Sequence, residues 1–249
     1  MNFLNSPYLF FVLSFAILWL SIHIGRALRN RVPSLKEEDR DDLGLVLNAS
    51  LTLLALLIGF SFSMAVSRYD LRKNYEEAEA NAIGTEYART DLLPLDDAPK
   101  VRRLLKNYLD QRLLFYTTTD PNRVQKINED TSQLQNQLWS AVQPGAKVQP
   151  SAVAALTVAG MNDVLNSQGY TQAAWWNRIP AEAWILMVVI AVGCSMLVGF
   201  NARGRRFFLV VPLVVSLAFC LIADIDSPRW GAIRVRPQNL LSLSHSLAP

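Results

Sequence analysis

The sequence predicts an all-α integral membrane protein with four transmembrane helices and a helical soluble block between the second and third. Three observations lead there. Hydrophobic residues make up 51% of the 249 positions and charged residues only 18%, with a positive mean hydropathy of +0.18. The apolar residues come in blocks, whereas soluble domains spread them periodically. No stretch alternates with the two-residue period of a strand over a useful length.

Four windows are long enough to cross ~30 Å of hydrocarbon at ~1.5 Å per residue. The first, Pro7–Gly25, is interrupted only by Ser14, Ser21 and His23. It lacks a basic segment ahead of it, and Arg26, Arg29 and Arg31 follow it instead, so it reads as a retained helix and not a cleaved signal. The second, Gly44–Val66, holds no charge, and the third, Ala181–Phe200, carries only Glu182 near its start. The fourth, Phe207–Ala223, is shorter and contains Pro212. Tyr8, Trp19, Trp175, Trp176, Trp184 and Trp230 lie near window ends, as aromatic residues do at membrane interfaces. The expected organisation is a first helix pair over 1–66, a soluble extension over 67–179, a second pair over 180–224 and a tail over 225–249.

Two short connectors are basic, Arg26–Lys36 and the segment with Arg203, Arg205 and Arg206. Four spans would put them on one side, which the positive-inside rule makes cytoplasmic. The other side has Arg68, Arg72, Lys73, Arg178, Arg229, Arg234 and Arg236, so charge leaves the side of the soluble block open.

Within that block the second spanning helix continues, since from Arg68 to Leu93 only Gly84 interrupts good helix formers. Pro94 and Pro99 bracket a turn. A helix follows over about Lys100–Tyr116, with Val101, Leu104, Leu105, Tyr108, Leu109 and Leu113 at helical spacing. Asp120-Pro121 reads as N-cap and first helical position of an amphipathic helix carrying Val124, Ile127, Thr131, Leu134 and Leu138. Pro144-Gly145 and Pro150 break the chain, and a further helix is expected over about Ser151–Leu165.

Composition and motifs exclude several functions. A net charge of +3 without a basic run argues against nucleic acid as partner. Cys194 and Cys220 lie inside apolar blocks without metal spacing, so no disulfide framework or metal site is expected. The chain has two histidines, His23 and His245, and no phosphate-loop glycine pattern, so neither enzyme chemistry nor a cofactor is expected. The carboxylates Glu76, Glu77, Glu79 and Glu86 are expected on a solvated helix face, with a cation site as the other reading. Asp224 and Asp226, at the exit of the fourth helix, suit a turn cap or a cation site.

The second spanning helix differs from the others. Asn48, Ser50, Thr52, Gly59, Ser61 and Ser63 are small or polar, and such residues in a span face protein or water. Thr52, Leu56 and Phe60 recur every four residues and stack as a stripe, which Asn48, Ser63 and Ser67 extend. With several copies around an axis the stripe becomes a pore wall whose apolar ring gates by dewetting. Otherwise it packs against neighbouring helices.

The stretch Leu57-Ile58-Gly59-Phe60, followed seven positions on by Ser67-Arg68-Tyr69, resembles the second helix of bestrophins. Ile179-Pro180 resembles the approach to their third helix, and Asp226-Ser227-Pro228 with Gly231 the segment after the fourth. The run from Glu79 to Tyr87 is similar to that of a bacterial membrane family described as bestrophin-like, and the resemblance extends over most of the chain. It implies a homo-oligomeric ion channel, pentameric in bestrophins, in a bacterial inner membrane. The neck positions of that family fall here on Phe60, Leu56 and Thr52. Thr52 departs from the apolar pattern and implies a shorter or wetter neck. The resemblance favours anions, although bacterial relatives can prefer cations. The acidic run of the animal calcium clasp is missing, with only Asp224 and Asp226 nearby. A non-conducting scaffold or sensor, with soluble helices that bind a partner, is the alternative.

Overall fold

The computed structural model describes residues 6–31, 37–148, 151–201 and 208–248. The described residues form helices and no strand. In chain order these are α1 (Pro7–Arg29), α2 (Glu37–Arg89), a 3-10 turn (Thr90–Leu92), α3 (Ala98–Thr117), α4 (Pro121–Val148), α5 (Ala152–Trp176), α6 (Ala181–Asn201), α7 (Val210–Asp226) and α8 (Gln238–Ser246). Residues 32–36 of the first basic connector, Gln149 and Pro150, and the second connector with Arg203, Arg205, Arg206 and Phe207 lie outside the described residues.

By length and composition three helices can cross a membrane: α1, α2 and one within the run Ala152–Asn201, of which α6 is the more apolar part. The fourth expected span, α7, has 17 residues, about 25 Å at ~1.5 Å each, and is not among those three. Its Pro212 sits in the first turn, where the missing N–H is not needed.

The chain divides into two compact units. The first comprises Met1–Arg68 and Arg178–Arg234. Here α1 packs on α6 and α7 through Leu18, Ile22, Met187, Ala191, Phe219 and Ile222. Two glycines permit a very close approach. A Cβ on Gly25 would lie 2.0 Å from the Met196 carbonyl oxygen, and one on Gly199 2.0 Å from that of Ile22. The backbones of α1 and α6 therefore touch, as small residues allow in membrane helices. Phe10, Trp184 and Phe219 form an aromatic cluster with edge-on contacts.

The second unit comprises Tyr69–Asn177 and Val235–Pro249. Its core gathers Ile83, Val101, Leu105, Tyr108, Phe115, Leu138, Met161, Val164 and Leu240. Asp120 starts α4 as expected, its Oδ1 accepting the Asn122 N–H at 3.0 Å. Pro144-Gly145 does not stop that helix, which runs on to Val148. One proline near a helix end removes a single hydrogen bond, and the flanking turns carry the segment past it. Ser151 caps α5 by accepting the Ala154 N–H at 3.1 Å, and α5 extends to Trp176, well past Leu165. Gln238–Ser246, within the stretch read as a tail, forms α8.

Candidate functional site

Within the first unit, the α2 stripe is exposed. Asn48, Thr52, Leu56, Gly59, Phe60 and Ser63 all face outward, while Leu54, Ser61 and Ala65 are buried. Phe60 is 59% exposed and Leu56 53%. The Thr52 hydroxyl donates to the Asn48 carbonyl at 2.8 Å, which ties its hydrogen to the helix backbone. A Cβ on Gly59 would meet nothing within 4 Å, so contacts inside one chain do not require glycine there. Only 6% of the apolar window of α2 is buried, against 28% for the first candidate span and 33% for the third.

Three of the segments quoted for the family resemblance, those with Arg68, Ile179 and Asp226, meet at one place. Arg68 directs Nη1 to Asp226 Oδ1 at 3.6 Å. The Ile179 N–H donates to the same carboxylate, at 3.1 Å to Oδ2 and 3.3 Å to Oδ1. Arg178 Nε lies 3.6 Å from Oδ2. Asp226 is 2% exposed, so its charge is held by two guanidinium groups and a peptide N–H. Arg68 of α2, the chain leading into α6 and the end of α7 therefore share one carboxylate. Asp224 is directed elsewhere. Its Oδ1 accepts the Ala232 N–H at 2.8 Å and Oδ2 the Ile233 N–H at 3.0 Å, which folds the chain back past Gly231, at φ 110°. Among the described residues no group of three or more His, Cys, Asp or Glu is placed to hold a metal ion. Ser67 is exposed, and Tyr69, in the second unit, packs on that unit's core.

In the second unit α2 carries a buried charge ladder where a solvated face was expected. Arg72, Glu76, Glu79 and Glu86 are all within 2% of full burial, and Glu77 alone of the acidic set stays outside. Arg72 donates to the Ala174 and Asn177 carbonyls at 3.1 Å each, closing the C-terminal end of α5. Glu76 accepts the Asn239 and Leu240 N–H groups at 2.9 Å each and the Asn239 amide at 2.6 Å, so a carboxylate from α2 caps α8. Glu79 forms a hydrogen-bonded ion pair with Arg112 and accepts the hydroxyls of Tyr116 and Thr171 at 3.2 Å each. Burial works against the Arg112 charge, but Glu79 outweighs it and holds the guanidinium above its ordinary value. Burial, reinforced by the Glu79 charge, pushes the Tyr108 and Tyr116 phenols upward, so both stay protonated. The spacing 72, 76, 79, 86 puts these side chains on one helical face, a pattern visible in the sequence. Their charge masked it, because charged residues are rarely buried.

A family model described as Bestrophin-like domain matches residues 9–240. The fold is similar to crystal structures of a bacterial bestrophin homolog from Klebsiella pneumoniae. A leucine-to-threonine variant of it has a TM-score of 0.66 at 14% identity, covering 97% of each chain. A tryptophan-to-alanine variant has a TM-score of 0.64 at 14% identity, covering 94% of this chain and 97% of that one. The form solved by Zn-SAD phasing gives 0.63 at 14% identity, covering 95% and 97%. A comparison with curated proteins finds no match.

Proposed function

Because the chain belongs to the bestrophin-like family, we propose that it is an oligomeric ion channel of a bacterial inner membrane, with α2 of each copy lining a central pore. In this reading α1, α2, α6 and the short α7 are the four spans. Several copies, five by resemblance, place their α2 helices around the axis.

The observation that carries the reading is the exposure of α2. Its apolar window is only 6% buried, yet its outward residues include Asn48, Thr52, Gly59 and Ser63. Polar and small residues on an uncovered helix face favour protein or water over lipid. A ring of copies supplies both. Phe60, Leu56 and Thr52 then stack as a constriction about 6 Å apart along the axis, four residues at ~1.5 Å each. The Thr52 hydroxyl, already donating to the Asn48 carbonyl, then offers this ring an acceptor and no free donor. Asp226, with Arg68, Arg178 and Ile179, braces the end of this span, and Asp224 ties down the following turn. Both carboxylates then hold the protein's own donors, not a cation.

Phe60→Ala is expected to widen the constriction and raise ion flux several-fold in reconstituted liposomes, with chloride as the first ion tried and sodium as the second. Flux that is absent, or indifferent to substitutions at Thr52, Leu56 and Phe60 alike, removes the basis of the channel reading.

A further inference from the structure

The charge ladder of the second unit is incomplete at one rung. Arg72, Glu76 and Glu79 each meet hydrogen-bonding partners on another helix. Glu86, on the same face, is fully buried and neither carboxylate oxygen has a hydrogen-bond partner. Its nearest cation is Arg89 Nη1, 3.8 Å away and itself partly exposed. A buried carboxylate without a donor is costly when ionised and far less so when protonated.

The surroundings are tight as well as poor in donors. α5 runs antiparallel to α2, with Ala174 near Arg72, Thr171 near Glu79 and Gly160 against Glu86. A Cβ on Gly160 would lie 2.1 Å from Glu86 Oε2 and 2.1 Å from Arg89 Nη1. The carboxyl and guanidinium are therefore pressed onto the α5 backbone, with no room for hydrating water between them. The charged groups acting on Glu86 are Arg89 from its own helix and Asp163 from α5.

We propose that Glu86 is a proton-binding site that controls how the N-terminal half of α5 seats on α2. With the proton bound, the contact at Gly160 is neutral and closes. When the proton leaves, the carboxylate requires water or a closer Arg89, and either one prises this part of α5 away. Burial pushes the Glu86 carboxyl up to about 7, with Arg89 opposing and Asp163 reinforcing the shift. Since the folded value is raised from 4.5, the seated contact is favoured as pH falls through that window and weakened as pH rises through about 7.

Amide hydrogen exchange on the full-length protein in detergent micelles tests this without reference to ion flux. After correction for intrinsic rates, protection across residues 153–164 of the wild type should fall about tenfold between about pH 6 and about pH 8, the change linkage gives for one group titrating near 7. Glu86→Gln should hold its low-pH protection throughout. A wild type with unchanged protection overturns the proposal, and so does a Glu86→Gln protein with the wild-type response. Asp163→Asn supplies an arm that does not alter the buried group. It should move the transition to lower pH, because the Asp163 charge raises the Glu86 carboxyl. An unmoved transition counts against the site equally.

Discussion

Glu79 and Arg112 are both fully buried and face each other between α2 and α3. Tyr116 and Thr171 complete the set of donors around the carboxylate, and the guanidinium lies over the Phe115 ring, 4.4 Å from its centroid. Removing one member leaves the other as an uncompensated buried charge. Glu79→Gln is therefore expected to cost about 3–5 kcal/mol, read as a lower thermal midpoint of the purified protein. The double replacement Glu79→Leu with Arg112→Met removes both charges and should recover most of that loss. A double variant as unstable as the single one would show that the pair's value lies in its geometry and not in mutual neutralisation. Asp226 differs, because it holds two arginines and a peptide N–H at once. Asp226→Asn keeps an acceptor for Ile179 but gives up the charge. It should destabilise the first unit by about 2–4 kcal/mol, measured by unfolding in detergent.

At the scale of the helix, α1 and α6 depend on the absence of side chains at two points. Gly199→Ala places a methyl 2.0 Å from the Ile22 carbonyl oxygen. The helices must separate, at a cost of about 1–3 kcal/mol, seen as a loss of resistance to unfolding by SDS. Gly59→Ala meets nothing within its own chain, so the same assay should register little change. How much the sequence revealed follows the same physics. The apolar blocks of α1, α2 and α6 were legible because a bilayer demands a long uninterrupted run. The starts of α4 and α5 were legible because Asp120 and Ser151 are N-caps whose bonds are local. The charge ladder was not, since burial of Glu76 and Glu79 depends on partners up to 164 residues away and that of Glu86 on the α5 backbone at Gly160. α8 escaped for a related reason. It is a nine-residue helix, too short to hold itself together by local propensity, and Glu76 supplies its cap from α2.

For the whole molecule, the thinly buried span of α2 sets the expectation. Purified in mild detergent, the protein should appear as a ring of several copies when imaged along its symmetry axis. A population of monomers or dimers would remove the axial pore. Leu56→Glu on the stripe should put a ring of like charges at the constriction, and like charges brought close repel. The expected outcome is a wider or dissociated ring, checked by native mass spectrometry.

The cap that Glu76 provides for α8 has a consequence in time. The second unit closes its core around Leu240 and Val235, which are synthesised after α6 and α7. A ribosome making this chain from its N-terminus releases α2, α3, α4 and α5 first, at ~5–20 residues per second. Until α8 emerges, Glu76 has no helix terminus to hold, and the groove for Leu240 stands open. The second unit is therefore finished only after α6 and α7, which interrupt it in sequence, have been made. A chain stalled before α8 would present an unfinished core to proteases.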